Sequence, residues 1–130
     1  MTHRPGILIA LWVVLVSPAI ADTIDVLKQN TLVLHEAGGR SHTVLISDGG
    51  AMEQVNPAGV WASGIWAVEE GRFCWTARGA ARLCIPLPAD KAVGDSWDIS
   101  GPTGKLVWTA EIVAGRVDLA ATAPDKDPEP

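Results

Sequence analysis

Residues 72–76 (RFCWT) and residues 82–86 (RLCIP) lie on either side of Gly79. Their alternating pattern predicts two antiparallel strands joined by a turn at this glycine. When Cys74 is placed opposite Cys84, one face of the hairpin becomes apolar. That face carries Phe73, Trp75, Leu83 and Ile85. Because strand alternation and a cross-strand disulfide require the same register, we predict a hairpin closed by a Cys74–Cys84 bond.

The two cysteines are the only ones in the chain, and their spacing is not the C-x-x-C of a redox pair. A structural disulfide needs an oxidising compartment.

Residues 1–21 have the pattern of a segment that directs export to such a compartment. A basic start is followed by the apolar run of residues 6–16 (GILIALWVVLV) and by small residues up to Ala21. This is the layout of a secretory signal peptide. The run is shorter than the ~20 residues of a membrane span. We therefore predict cleavage after Ala21, a periplasmic or secreted protein, and no membrane anchor after cleavage.

Outside the hairpin, period-two alternation interrupted by Gly-rich turns predicts further short strands. They cover residues 31–35, 42–47, 51–55, 60–68, 96–100, 105–113 and 116–120. The fold class is thus all-β, an antiparallel meander of about eight strands. A small up-and-down barrel is the preferred architecture, and an open curved sheet or a sandwich is the alternative.

Three regions make up the predicted domain organisation. Residues 1–21 are the signal peptide, residues 22–122 a single β domain with a short helical turn at 24–30, and residues 123–130 (APDKDPEP) a disordered acidic tail. The whole chain of 130 residues has 10 Lys and Arg against 15 Asp and Glu, a net charge of −5. Removing the signal leaves 109 residues and a charge of −6, because only Arg4 is lost. This balance argues against a nucleic-acid partner, which requires clustered basic residues.

Tryptophan supplies nearly all of the aromatic content, with six Trp against one Phe and no Tyr. Alternation places Trp66, Trp75, Trp97 and Trp108 on the apolar side of their strands. These indoles either fill the core or line a cavity for a small apolar ligand. Trp61 is expected on the outer face or at a rim, unless a bulge at Gly64 changes the facing of that strand.

The sequence favours a protein that is not an enzyme. It contains neither an H-E-x-x-H zinc motif nor the G-x-S-x-G turn of hydrolases, and we predict no cofactor. His35 and His42 flank a Gly-Gly turn. With Glu36, they form either a weak surface copper or zinc site or, as preferred here, two solvated histidines and no metal site. The loops at residues 56–57 and 86–90 are further candidates for recognition.

The motifs Gly64-x-Trp66, Gly71-Arg72-Phe73-Cys74-Trp75 and Leu83-Cys84 resemble those of a group of small, mostly uncharacterised, exported proteins of Gram-negative bacteria. The resemblance covers about residues 27–99, including Asn30-Thr31-Leu32 and Asp48-Gly49, and implies a periplasmic β-rich domain. In size and in having one disulfide, the chain is also similar to periplasmic inhibitors of proteases and lysozyme. We therefore expect a non-catalytic domain that binds a small apolar ligand or a periplasmic protein. The alternative is an inhibitor of an exported hydrolase.

Overall fold

Eight strands form one antiparallel sheet in the computed structural model, which describes residues 18–122. The strands are Thr31–Glu36 (β1), Ser41–Ile46 (β2), Ala51–Val55 (β3), Trp61–Glu69 (β4), Arg72–Ala77 (β5), Leu83–Pro86 (β6), Ser96–Ser100 (β7) and Leu106–Val113 (β8). Two helices complete the fold, Pro18–Gln29 (α1) and Leu119–Thr122 (α2). The predicted signal core and the predicted tail at 123–130 lie outside the described residues.

The sheet curls into a nearly closed barrel, as the sequence predicts. Strands β1 to β6 pair in chain order, β7 pairs with β8, and β8 returns to pair with β1. Within residues 18–122, β6 and β7 have no ladder between them and are the two edges of the sheet. Strand β6 ends at Pro86, which has no N–H to donate and therefore suits an edge strand.

The cysteine hairpin has the register expected from its sequence. Cys74 lies opposite Cys84 and forms the disulfide, with the two Cα atoms 4.0 Å apart. Phe73 faces Ile85 and Trp75 faces Leu83. Local alternation was sufficient for this prediction because both strands belong to one short hairpin.

The predicted ninth strand at residues 116–120 is wrong. Arg116 instead donates to the carbonyl oxygens of Lys28 and Ile46, each at 2.7 Å, and so joins the end of α1 to the end of β2. The carboxylate of Asp118 then accepts the N–H of Ala121 and caps the short helix α2. These side-chain bonds to the backbone replace a strand ladder in this segment.

Helix α1 is longer than the helical turn predicted at residues 24–30, and it begins before the predicted cleavage site. Its Ile24 and Leu27 are buried in the barrel interior. The hydroxyl of Thr23 donates to the Pro88 carbonyl and accepts the N–H of Lys91, which attaches α1 to the loop between β6 and β7. Helix α1 therefore closes one end of the barrel. Among the described helices, none is long and apolar enough to cross a bilayer.

The barrel interior is one cluster of buried apolar side chains. It contains Ile24, Leu27, Leu32, Leu34, Val44, Ile46, Met52, Phe73, Trp75, Ala77, Ile85, Leu87, Ile99, Ala110 and Ile112. Trp66, Trp97 and Trp108 are partly buried against this cluster, so all four indoles expected to face inward do so. The bulge considered at Gly64 is absent. Gly64 lies opposite Met52 on β3 and Ala77 on β5, and the strand register is continuous through both pairs.

Candidate functional site

The two ends of the barrel differ. Because β1 starts next to α1, the loops after β1, β3, β5 and β7 all lie at the end remote from that helix. At this remote end is a cleft with a volume of about 300 Å³. Its lining residues are His42, Gln54, Asn56, Pro57, Trp75, Ala77, Ala80, Ala81 and Leu83. The mouth of a barrel is a common position for a ligand site.

Trp75 is the largest side chain in the wall of the cleft and is held in place from two sides. Its residue exposure is only 1%. The indole stacks on Phe73, with ring centroids 5.4 Å apart, and its Nε1–H donates to Oε1 of Gln54 at 3.0 Å. Gln54 is itself 5% exposed. The cleft therefore has a rigid, preformed wall rather than one that must be ordered on binding.

His42 contributes an imidazole with an unsatisfied nitrogen. Its Nδ1 is buried and has no hydrogen-bond partner among residues 18–122. The ring packs edge-on against Trp108, with centroids 6.0 Å apart and planes at 81°. Burial lowers the pKa of His42 from its ordinary value of 6.5, and the Glu36 carboxylate opposes this shift. The imidazole is therefore neutral at pH 7, with one nitrogen as donor and the other as acceptor.

The expectation of two solvated histidines holds for His35 only, since His42 is half-buried, and the two rings do not come together as the alternative metal site requires. His42 lies opposite Leu34 and faces the interior, whereas His35 lies opposite Ser41 and faces outward, where its Nε2 is 2.9 Å from Oε1 of Glu111. The two rings are on opposite faces of the sheet because the β1–β2 register offsets them by one residue. The described part of the chain contains no group of three or more His, Cys, Asp or Glu side chains able to hold a metal ion.

The five tryptophans predicted as ligand-binding residues do not form a single site. Only Trp75 lines the cleft. Trp66 donates from Nε1 to the Ser47 carbonyl near the α1 end, and Trp97 has a buried Nε1 without a partner in the described region. Trp61 lies on the outer face and donates to Glu53, as its position in the alternation predicts. The sheet distributes these indoles around the barrel.

One predicted recognition loop lies at the cleft and the other does not. Asn56 and Pro57 line the cleft, while the loop at 86–90 is attached to α1 at the opposite end. Sequence reasoning did not identify Gln54, although a signal was present. Gln54 is polar, yet it lies two residues after Met52 in β3, so alternation places it on the same inward face.

A second concavity lies outside the barrel, beside the disulfide. It measures about 150 Å³ and includes Ile65, Cys74 and Arg82 in its lining. The ion pair between Arg82 and Glu69 borders it. It is half the size of the cleft at the open end, and none of its described lining residues has a buried side-chain N or O atom without a partner, so the open end is the stronger candidate site.

Comparison of the chain with protein-family models, with curated proteins and with solved structures found no match.

Proposed function

We propose that this protein is a non-catalytic, exported binding domain whose cleft at the open end of the barrel takes a small, mainly apolar ligand. The observation that carries the proposal is the cleft itself, a preformed concavity with Trp75 as a fixed wall. Six of its nine lining residues are apolar, and the other three are uncharged at pH 7. A volume of about 300 Å³ is at the lower end of the range for small-molecule pockets.

The proposal of export is supported by the disulfide and by the burial of residues that follow the predicted cleavage site. Thr23 and Ile24 are buried, and both follow the predicted cleavage site at Ala21. Cleavage there would leave both in the mature chain. The disulfide between Cys74 and Cys84 is stable in an oxidising compartment such as the periplasm.

The test is an NMR titration of the protein with toluene, an apolar ring small enough for the cleft. We expect chemical-shift changes confined to the cleft, including the Trp75 indole N–H. Ala81→Phe fills the cleft from an exposed loop position and should abolish these changes. The matched control is Ala89→Phe, an exposed alanine in the loop at the α1 end, which should leave them intact. Absence of any shift, or shifts that persist in Ala81→Phe, would contradict the proposal.

A further inference from the structure

The orientation of two side-chain amides in the cleft is determined by their partners. The Nε1–H of Trp75 can only donate, so Gln54 must present its oxygen to it, and the Gln54 NH₂ group is left over. Asn56 is fixed in the same way, because its Oδ1 accepts the backbone N–H groups of Ala58 and Val60, both at 3.0 Å. Neither NH₂ group has a hydrogen-bond partner within residues 18–122. Each amide therefore offers NH₂ donors to the cleft. The Asn56 oxygen already accepts two hydrogen bonds, and the Gln54 oxygen accepts one.

The charges around the cleft limit the ligand further. No lining residue carries an ionised side chain at pH 7, since His42 is neutral there. A bound carboxylate would thus lose its hydration without gaining a cation, which is unfavourable. The ionised group that acts on His42 is the Glu36 carboxylate, which would also repel an anion. A ligand ammonium would be attracted by Glu36, but that carboxylate is not among the lining residues, so the ammonium would also lose hydration without gaining a direct ionic partner.

We propose that the cleft selects uncharged ligands that combine an apolar body with a carbonyl oxygen, which accepts hydrogen bonds from the Gln54 and Asn56 amides. This inference rests on the proposed function, because it names the ligand class of the same cleft. Trp75 and the alanines of the cleft contact the apolar body, while the amide donors fix the position of the oxygen. The unsatisfied Nδ1 of His42 is a third polar atom beside the site.

The experiment compares benzamide, benzoate and benzylamine, which share one ring and differ in the charge of the polar group. Their dissociation constants are measured by NMR titration at pH 7, with toluene as the apolar reference. We expect benzamide to bind at least about tenfold more tightly than either ion, because each ion would lose hydration in the cleft without gaining a partner of opposite charge. Its binding should also shift the side-chain NH₂ signals of Gln54 and Asn56.

Asn56→Asp is the decisive variant. It retains the oxygen that accepts the Ala58 and Val60 N–H groups, so the turn is preserved, but exchanges the NH₂ donor for a carboxylate oxygen. The benzamide affinity should fall about tenfold, and benzylamine should become the preferred ligand. Gln54→Glu tests the second donor in the same manner, since it still accepts from Trp75. Gln29→Glu, an exposed position on α1, adds the same charge at the opposite end and should change nothing.

The two proposals fail in different ways. Tighter binding of benzoate or benzylamine than of benzamide, or an unchanged preference in Asn56→Asp, would overturn the ligand class while toluene binding still supports the site. If neither toluene nor any of the three ring compounds binds, the proposed function falls together with this inference.

Discussion

Among the described glycines, Gly64 is the one where an added methyl group meets the closest contacts. It lies in the middle of β4, opposite Met52 on β3 and Ala77 on β5. A Cβ atom at Gly64 would collide with the carbonyl oxygen of Thr76 and would lie 2.8 Å from the Cα of Ala77. These are backbone atoms of the neighbouring strand, so no rotamer change can relieve the contact. Gly64→Ala must therefore push β4 and β5 apart.

The magnitude follows from this geometry. Overpacking a well-packed region costs about 1–3 kcal/mol, and the upper end applies where the neighbour cannot move aside. Each β4–β5 backbone hydrogen bond that lengthens adds up to about 1 kcal/mol. We expect Gly64→Ala to lower the free energy of unfolding by about 3 kcal/mol or more. For a domain of about 100 residues, this corresponds to a Tm lower by about 12–24 °C.

The assay is urea unfolding followed by tryptophan fluorescence, with calorimetry for the Tm. The matched control is Gly38→Ala, at a glycine where an added Cβ meets no atom within 4 Å and the backbone φ is not positive. This variant should stay within about 0.5 kcal/mol of the parent protein. If Gly64→Ala and Gly38→Ala had equal effects, the close approach of β4 and β5 at Gly64 would be refuted.

Three other predictions concern the disulfide, the histidine of the cleft and the N-terminus. Replacing Cys74 and Cys84 by Ala should lower the free energy of unfolding by about 2–3 kcal/mol, the chain-entropy value for a separation of 10 residues, and an unchanged urea midpoint would contradict this. Because burial lowers the folded-state pKa of His42, the unfolded chain binds the proton first as the pH falls. The free energy of unfolding should therefore decrease below about pH 6.5, and His42→Gln should remove that part of the decrease in paired urea titrations at several pH values. Finally, the protein recovered from the periplasm of a Gram-negative host should begin at Asp22 by intact-mass measurement; a chain that retains Met1 would contradict cleavage after Ala21.

Local features were predictable because their causes lie within a few residues of each other. Strand β3 and strand β7 have the bounds expected from alternation between turn residues. The errors occurred where a distant group competed with the local pattern. Val117 alternates with Leu119 like a strand residue, yet it is 40% exposed, because the bonds of Arg116 to α1 and β2 direct the chain away from the sheet.

The hypothesis of a hydrolase inhibitor depends on size, charge and the disulfide, and it stays a prediction.

The candidate site was harder to predict than the fold. Its wall residue Trp75 was among the candidates, and the Asn56-Pro57 loop was noted for recognition. Gln54 and the inward role of His42 were missed, although alternation places Gln54 on the face of Met52 and His42 on the face of Val44. Their partners could not be read from the local pattern. Gln54 is oriented by Trp75, 21 residues away, and the burial of His42 depends on the packing of Trp108.

The sequence by itself determined the faces of the strands and the register of the cysteine hairpin, since period-two alternation and short turns are local properties of the chain. The sequence favoured a barrel without specifying which strands close it. The tertiary structure decided that β8 returns to β1, that α1 closes one end, and that the opposite end remains open. These depend on contacts between residues such as Leu34 and Ala110, which are far apart in sequence. No local pattern encodes such a pairing, because it forms only when the twist of the whole sheet brings its first and last strands together.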